Sequence, residues 1–333
     1  MQVQRPQRLA GLALLLGLLL LMTGLSLTVG ARAVPWGEIW AGMTGRIETI
    51  GAAAVAVRMP RTALAVLAGA ALGLAGAVMQ GISRNPLADP GILGVNAGAA
   101  LFVVVGIAWF DISGAQSFLW LGIAGAAVTA VFVYLIGSAG QGGATPLKLT
   151  LAGTATSVAV SAFIIAVVLP RNDIAGSVQS WQVGGIGGAS FETLLPAMPF
   201  ALVGLALSLA SARVLNALAL GEELATGLGQ SVALGRVMAA AGAVILCGTA
   251  TALCGPIGFV GLVVPHLCRM IAGVDYRLVL PLSALAGASM LGLSDVLGRV
   301  IARPNELDVG IVTAFVGAPF FIWTVRNHRM RGL

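Results

Sequence analysis

Polar side chains are nearly absent from long stretches of this chain, and glycine, proline and charge punctuate the gaps between them. Ten apolar segments result, at approximately 9–29, 62–81, 92–109, 117–138, 148–169, 193–212, 233–253, 257–272, 278–298 and 308–326. Several approach the ~20 residues a helix needs to cross a bilayer. The ten-residue alternation of a membrane β-barrel is absent, so the pattern predicts a helical bundle whose backbone polar groups are satisfied within each span. The third and eighth segments are short. Residues 85–95 and 253–258 are rich in Pro and Gly and predict breaks at membrane depth. Such breaks survive only where protein buries them or where they line a cavity. The expected fold class is therefore an all-α polytopic membrane protein, a single transmembrane domain over 1–333. No soluble domain fits, because the longest polar stretches are 30–61, 171–192 and 213–232.

Composition sharpens this picture. Hydrophobic residues make up 58% of the chain and charged residues only 9%, against roughly 25% charged in a soluble domain. Glycine occurs 46 times. Small residues such as those of Gly69-Ala70-Ala71-Leu72-Gly73 let helix backbones approach closely, and most of the glycines fit that packing role. The net charge of +6 reads as membrane orientation rather than as a nucleic-acid surface. An even number of spans puts both termini on one side. With that side cytoplasmic, the inner segments hold eleven Lys/Arg (Arg5, Arg8, Arg84, Lys148, Arg213, Arg236, Arg269, Arg277, Arg326, Arg329, Arg331). The outer segments hold seven (Arg32, Arg46, Arg58, Arg61, Arg171, Arg299, Arg303). That bias favours cytoplasmic termini. The first apolar run, Leu9 to Val29, has 21 residues, longer than a signal-peptide core of ~7–15. A retained first helix is expected, with no cleavage after Ala33.

Chemistry is sparse. Cys247, Cys254 and Cys268 sit in apolar segments without C-x-x-C spacing, which favours buried inert thiols over a zinc site or a disulfide. No phosphate-binding G-x-x-x-x-G-K-[ST] loop occurs, and Lys148 is the only lysine. No catalytic residues, cofactor or metal are expected in this chain. If ATP drives it, another chain binds the ATP and its magnesium.

Three blocks carry more specific information. The first is Arg58-Met59-Pro60-Arg61, a glycine-rich helix, and then the run from Gln80 through Asn85-Pro86-Leu87-Ala88-Asp89-Pro90 to Gly94. The second runs from Leu218 through Leu220-Gly221-Glu222-Glu223 to Gly229. The third runs from Gly255 to Val264-Pro265-His266 and continues through Asp295 to Arg299, Glu306-Leu307-Asp308-Val309-Gly310 and Gly317-Ala318-Pro319-Phe320. In this order and spacing they resemble the FecCD-type permeases of type II ABC importers, which move ferric siderophores, haem and cobalamin. The resemblance spans essentially the whole chain. It implies a bacterial inner-membrane protein of ten helices, with helices 2–5 and 7–10 related as inverted repeats. The implied partners are a second permease subunit, identical or related, two cytoplasmic ATP-binding subunits and an extracytoplasmic substrate-binding protein.

Candidate sites follow from residue type and resemblance together. Arg58 and Arg61 lie three apart and share a helix face if the second helix begins early; Arg299 and Arg303 close the ninth span. By residue type alone, such arginines fit snorkelling to lipid headgroups. The resemblance implies that the positions of Arg58, Arg61 and Arg299 receive acidic residues from the two lobes of the binding protein, with Arg303 a further docking candidate beside them. Within 213–232, Leu220, Gly221, Glu222, Glu223, Gly227 and Gly229 are the implied contact with the ATPase, the glycines permitting a tight turn. Asn96 and the fifth-span residues Thr150, Thr154, Ser157 and Ser161 are candidates for the translocation path, because polar groups on apolar helices tend to face the bundle interior or a watery cavity. Ordinary interhelical hydrogen bonding is the alternative. The resemblance puts Asn85, Leu87, Pro146 and Leu147 near a cytoplasmic gate. A lone His266 fits an axial haem ligand by chemistry, but its motif is shared across the family whatever the cargo, which favours structure. Asp295 fits a proton relay, though the sequence offers no evident partner. The wording around Asn85 and Leu149-Thr150-Leu151-Ala152-Gly153 resembles permeases for catecholate siderophores such as ferric enterobactin. Trp181-Gln182-Val183-Gly184-Gly185 departs from this, with glycine where many siderophore permeases have serine, as in cobalamin permeases. Haem is a third cargo, and an ion-coupled secondary transporter is the alternative class.

Overall fold

The computed structural model describes residues 5–30, 34–139, 145–227, 229 and 231–329. Arg32, Ala33 and Arg331, which figure in the sequence reading, and residues 228 and 230 of the 213–232 stretch lie outside the described residues. Among those described there are helices and no strands. Seven helices are long and apolar enough to cross a membrane, and three shorter apolar ones complete the ten expected spans.

The long helices are α1 (Arg5–Thr28), α3 (Ile50–Ser83), α5 (Ala115–Ser138), α6 (Pro146–Val168), α12 (Val232–Cys254) and α14 (Tyr276–Ile301). The sixth span bends: α8 (Phe191–Leu194) and α9 (Met198–Ala210) are joined by a 3-10 turn over Leu195–Ala197. The shorter apolar helices are α4 (Val95–Phe110), α13 (Val260–Ala272) and α15 (Val309–Arg329). Polar stretches supply α2 (Trp36–Met43), α7 (Asn172–Val183), α10 (Ala212–Ala219) and α11 (Glu222–Gly227). The largest departure from the apolar pattern is α3, which starts twelve residues before its apolar stretch. Thr49 starts it as a cap, its side chain accepting from the Ala52 amide. At 34 residues it is about 50 Å long, and it carries Arg58 and Arg61 inside the helix rather than at its entry.

Small residues explain why α3 can lie at the centre. A Cβ on Gly69 or Gly73 would collide with the Gly287 and Ser283 carbonyls of α14, and one on Gly76 with the backbone of Gly261 on α13. Backbones this close gain dispersion contacts where the hydrophobic effect offers no drive between helices in lipid. α3 packs on α12, α13 and α14.

The neighbour pattern has an internal symmetry. α3 touches α14 and α13, as α12 touches α5 and α4; α4–α5 and α5–α6 are matched by α13–α14 and α14–α15. α3 begins at the Arg58 end of the bundle and α12 at the Glu222 end, so the two sets run oppositely, as inverted repeats do. Both expected breaks are present, and they are built alike. Gly94 (φ 72°) precedes α4 and Phe259 (φ 68°) precedes α13, each in the left-handed region. For Phe259 that conformation is costly and persists only because its surroundings hold it.

Candidate functional site

Three places concentrate polar groups: one end of the bundle, the opposite end, and a cavity between them. At the first end, Asp295 bridges two arginines. Its Oδ1 accepts from Arg61 Nε at 2.9 Å and lies 2.7 Å from Arg61 Nη2, while Oδ2 is 2.8 Å from Arg299 Nη2. Asp295 and Arg299 are 1% and 2% exposed. Arg61 also donates from Nη1 to Glu306 at 2.6 Å, and Glu306 is 41% exposed. Asp295 therefore has two partners, which corrects the expectation that it stands alone. A carboxylate with both oxygens committed to guanidinium groups has none left to pass a proton along, which does not suit a relay.

Other donors of Arg299, with Arg58 and Arg303, grip the end of α1. Arg299 Nη1 donates to the carbonyls of Ser26 (3.0 Å) and Val29 (3.1 Å), and Nη2 to Ser26 Oγ (2.9 Å). Arg58 Nη1 donates to the carbonyls of Leu27 (3.1 Å) and Thr28 (3.2 Å), and Arg303 donates to that of Gly30. The last carbonyls of a helix lack intrahelical donors and carry partial negative charge; here guanidinium groups from α3 and from the end of α14 satisfy them. A Cβ on Gly30 would overlap the Arg58 guanidinium. Of the four expected docking arginines, Arg58 and Arg299 are thus buried, Arg61 is half-buried and Arg303 is exposed.

At the opposite end, α10 and α11 form a helix–turn–helix pair. Asn216 anchors it, donating to Asp275 (2.7 Å) and accepting from the Tyr276 amide (2.8 Å) at the start of α14. Gly221 (φ 113°) and Gly229 (φ 75°) take left-handed conformations, as a tight turn requires. Gly227 instead is the last residue of α11 and needs no such freedom, a correction to the expected turn role. Among the described residues, no atom beyond the local backbone lies within 4 Å of a Cβ at any of the three. Leu220 and Leu224 are 62% and 61% exposed, and Glu223 projects into the open beside them. Glu222 pairs with Arg236 of its own chain rather than awaiting a foreign base. That bond and the Arg236 charge hold the Glu222 carboxyl below its ordinary range.

The cavity, about 300 Å³, lies between α4, α6 and α7 and touches both helix breaks at Gly91 and Pro256. Asn96, Ser157 and Ser161 line it, joined by Gln182, which the sequence reading missed. Its described lining carries no ionisable side chain. Asn96 Oδ1 accepts from Cys247 Sγ (2.8 Å) and Thr251 Oγ1 (3.1 Å), tying α4 to α12. Thr154 lies outside the cavity lining and bonds back to the Thr150 carbonyl at 2.8 Å. It belongs to an exposed stripe on α6 with Leu147 (70%), Leu151 (61%) and Val158 (70%). Asn85 makes a local turn, accepting from the Leu87 amide at 3.0 Å. Pro146 opens α6 after the Thr145 cap. Gly184 and Gly185 pack where larger residues would not fit: the Gly185 amide donates to the Cys254 carbonyl, and that of Gly310 to the Gly184 carbonyl, both at 2.9 Å. His266 packs edge-on against Phe320, ring centroids 5.8 Å apart. The three cysteines are buried and unbonded to one another. Among the described residues no group of three metal-ligating side chains occurs.

Only the short-range part of this was readable. The i,i+4 spacing of Asp295 and Arg299 signals their pairing; the approach of Arg61 from 234 positions away has no sequence signature.

The chain is 41% identical to the ferric enterobactin transport system permease protein of Escherichia coli (strain K12) over 319 residues, 96% of this chain and 95% of that one. It is 34% identical to the hemin transport system permease protein of Yersinia pestis, covering 98% and 97% of the two chains. A solved structure, an inward-facing conformation of a metal-chelate type ABC transporter, superposes with a TM-score of 0.82 at 29% identity, covering 96% of this chain and 99% of that one. The FecCD transport family model matches residues 18–327. With its ten apolar helices, paired breaks and motif residues in these positions, the chain belongs to the FecCD transport family.

Proposed function

We propose that this chain is the membrane path of an ATP-driven importer for a ferric-siderophore complex, working beside a second permease subunit. The observation that carries the cargo is the near full-length similarity to a permease for ferric enterobactin. The cavity chemistry agrees with it. A lining of amide, hydroxyl and aliphatic groups offers a large chelate many weak contacts and no fixed charge, and transit requires binding weak enough to be undone. The exposed α6 stripe is the face that a second permease covers, so that two chains enclose the path. Asn85, Leu87, Pro146 and Leu147 flank its cytoplasmic gate.

In this reading the arginine end faces outward and receives acidic side chains of a binding protein. The Glu222 end, with both termini, faces the cytoplasm. There Leu220, Leu224 and Glu223 meet a separate ATPase subunit, since this chain has no phosphate-binding loop. Neighbouring glycines let the two backbones approach.

The test is reconstitution of the permease with its ATPase and binding protein in vesicles. Uptake of iron-labelled enterobactin, a ferric hydroxamate, hemin and cobalamin is then compared with and without ATP. ATP-dependent uptake of a ferric siderophore ahead of the other cargos is expected. Preference for hemin or cobalamin would reassign the cargo. Uptake driven by an ion gradient without ATP would overturn the importer reading.

A further inference from the structure

Arg61 divides its guanidinium between two unlike carboxylates. The Nε and Nη2 edge is taken by Asp295, which is buried and locked by Arg299. The remaining nitrogen, Nη1, is taken by Glu306, which is 41% exposed and sits on the link between α14 and α15. Asp295 is a permanent counter-ion, because removing a buried partner strands a buried charge. Glu306 is different: an ion pair at the surface is worth little and exchanges readily. Among the described residues, the cluster of Arg58, Arg61, Arg299 and Arg303 also outnumbers its two paired carboxylates, Asp295 and Glu306. It still attracts an acidic group while Glu306 holds the position that group would take.

We infer that Glu306 is an internal stand-in for an acidic side chain of the binding protein, and that docking proceeds by exchange of carboxylates on Arg61 Nη1. This rests on the docking reading proposed above. The exchange breaks no covalent bond. The incoming carboxylate takes the hydrogen bond that Glu306 releases, and Glu306 turns to water. Docking in this scheme is weakened by the permease's own side chain, which allows the binding protein to leave after delivery.

The experiment measures capture of the purified binding protein that supports uptake through this permease, by the intact transporter in nanodiscs, at low and high salt. Glu306→Gln removes the competing charge and keeps the shape. It is expected to tighten capture by about two- to five-fold at low salt, the range of an exposed ion pair, and to lose that gain at high salt. In an Arg61→Gln background the same change is expected to do nothing. Glu306→Asp, which keeps the charge, is expected to behave as wild type, separating charge from any effect on folding. If Arg61→Gln weakens capture while Glu306→Gln leaves it equal or weaker, the exchange is wrong and docking on Arg61 stands. If Arg61→Gln leaves capture unchanged, the docking reading fails and the exchange with it.

Discussion

At the arginine end of the bundle, charged side chains turn inward: Asp295 joins Arg61 to Arg299, and three arginines grip the end of α1. At the Glu222 end the polarity of the design is reversed, with Leu220, Leu224 and Glu223 held in the open and free space around Gly221, Gly227 and Gly229. The first end spends its charges on its own structure and keeps only Arg303 and the Arg61–Glu306 edge for the outside. The second keeps Leu220, Leu224 and Glu223 exposed and anchors itself through Asn216 and the buried Leu215 and Leu218. Buried ion pairs fix geometry more than they add stability. An exposed apolar pair flanked by glycines, by contrast, adds nothing to the chain's own core. The same charged residue types therefore mean different things at the two ends.

The sharpest way to break this contrast is Asp295→Ala. It leaves Arg61 and Arg299 without their shared counter-ion in a buried site, a loss of about 3–5 kcal/mol. The unfolding midpoint in detergent is expected to fall steeply. An unchanged midpoint would show that the cluster does not hold the α1–α3–α14 corner together.

Gly227→Trp probes the other end. Nothing lies within 4 Å of a Cβ there, so stability is expected to stay within about 0.5 kcal/mol of wild type. ATP-driven uptake is expected to fall at least about ten-fold, through an ATPase that co-purifies poorly or hydrolyses without transport, while capture of the binding protein is retained. Normal uptake in this variant, and in one lesioned at Glu223, would sink the coupling assignment.

Arg303→Gln is a milder probe of docking than changes at Arg58 or Arg299, whose burial mixes docking with folding. Charge reversal at Arg61 is also a poor probe, since it would set three carboxylates together. Arg303 is exposed and is bonded to the Gly30 carbonyl. Capture at low salt is expected to weaken by about three-fold, mostly in the on-rate, and to converge with wild type at high salt.

Glu222→Gln should produce the smallest effect, a few tenths of a kcal/mol, because the Arg236 pair is solvent-screened. Its sign with pH is fixed by the depressed carboxyl. The contribution is present above the unfolded glutamate range near pH ~4.3 and is lost as pH falls through the lower folded value. The difference in melting temperature between variant and wild type is expected to be constant at neutral pH and to close in acid.

Hydropathy determined the number of spans by itself, because a bilayer demands runs of about twenty apolar residues whatever their neighbours do. Pro/Gly content located both breaks, at 85–95 and 253–258, for an equally local reason. Motif order carried the family. What the sequence withheld was long-range. α3 begins at Ile50, outside its apolar stretch, because α2, α14 and the end of α1 support its first turns. Asp295 looked isolated although Arg299 lies one turn along its own helix, and its other partner, Arg61, arrives from another helix. Arg58 and Arg299 read as surface cations, yet tertiary packing turned them onto the unpaired carbonyls of α1. Which polar residues of α6 face the cavity also waited for the fold. Ser157 and Ser161 line it and Thr154 does not, a difference of helix face that residue type cannot express and that only the placement of α4 and α7 decides.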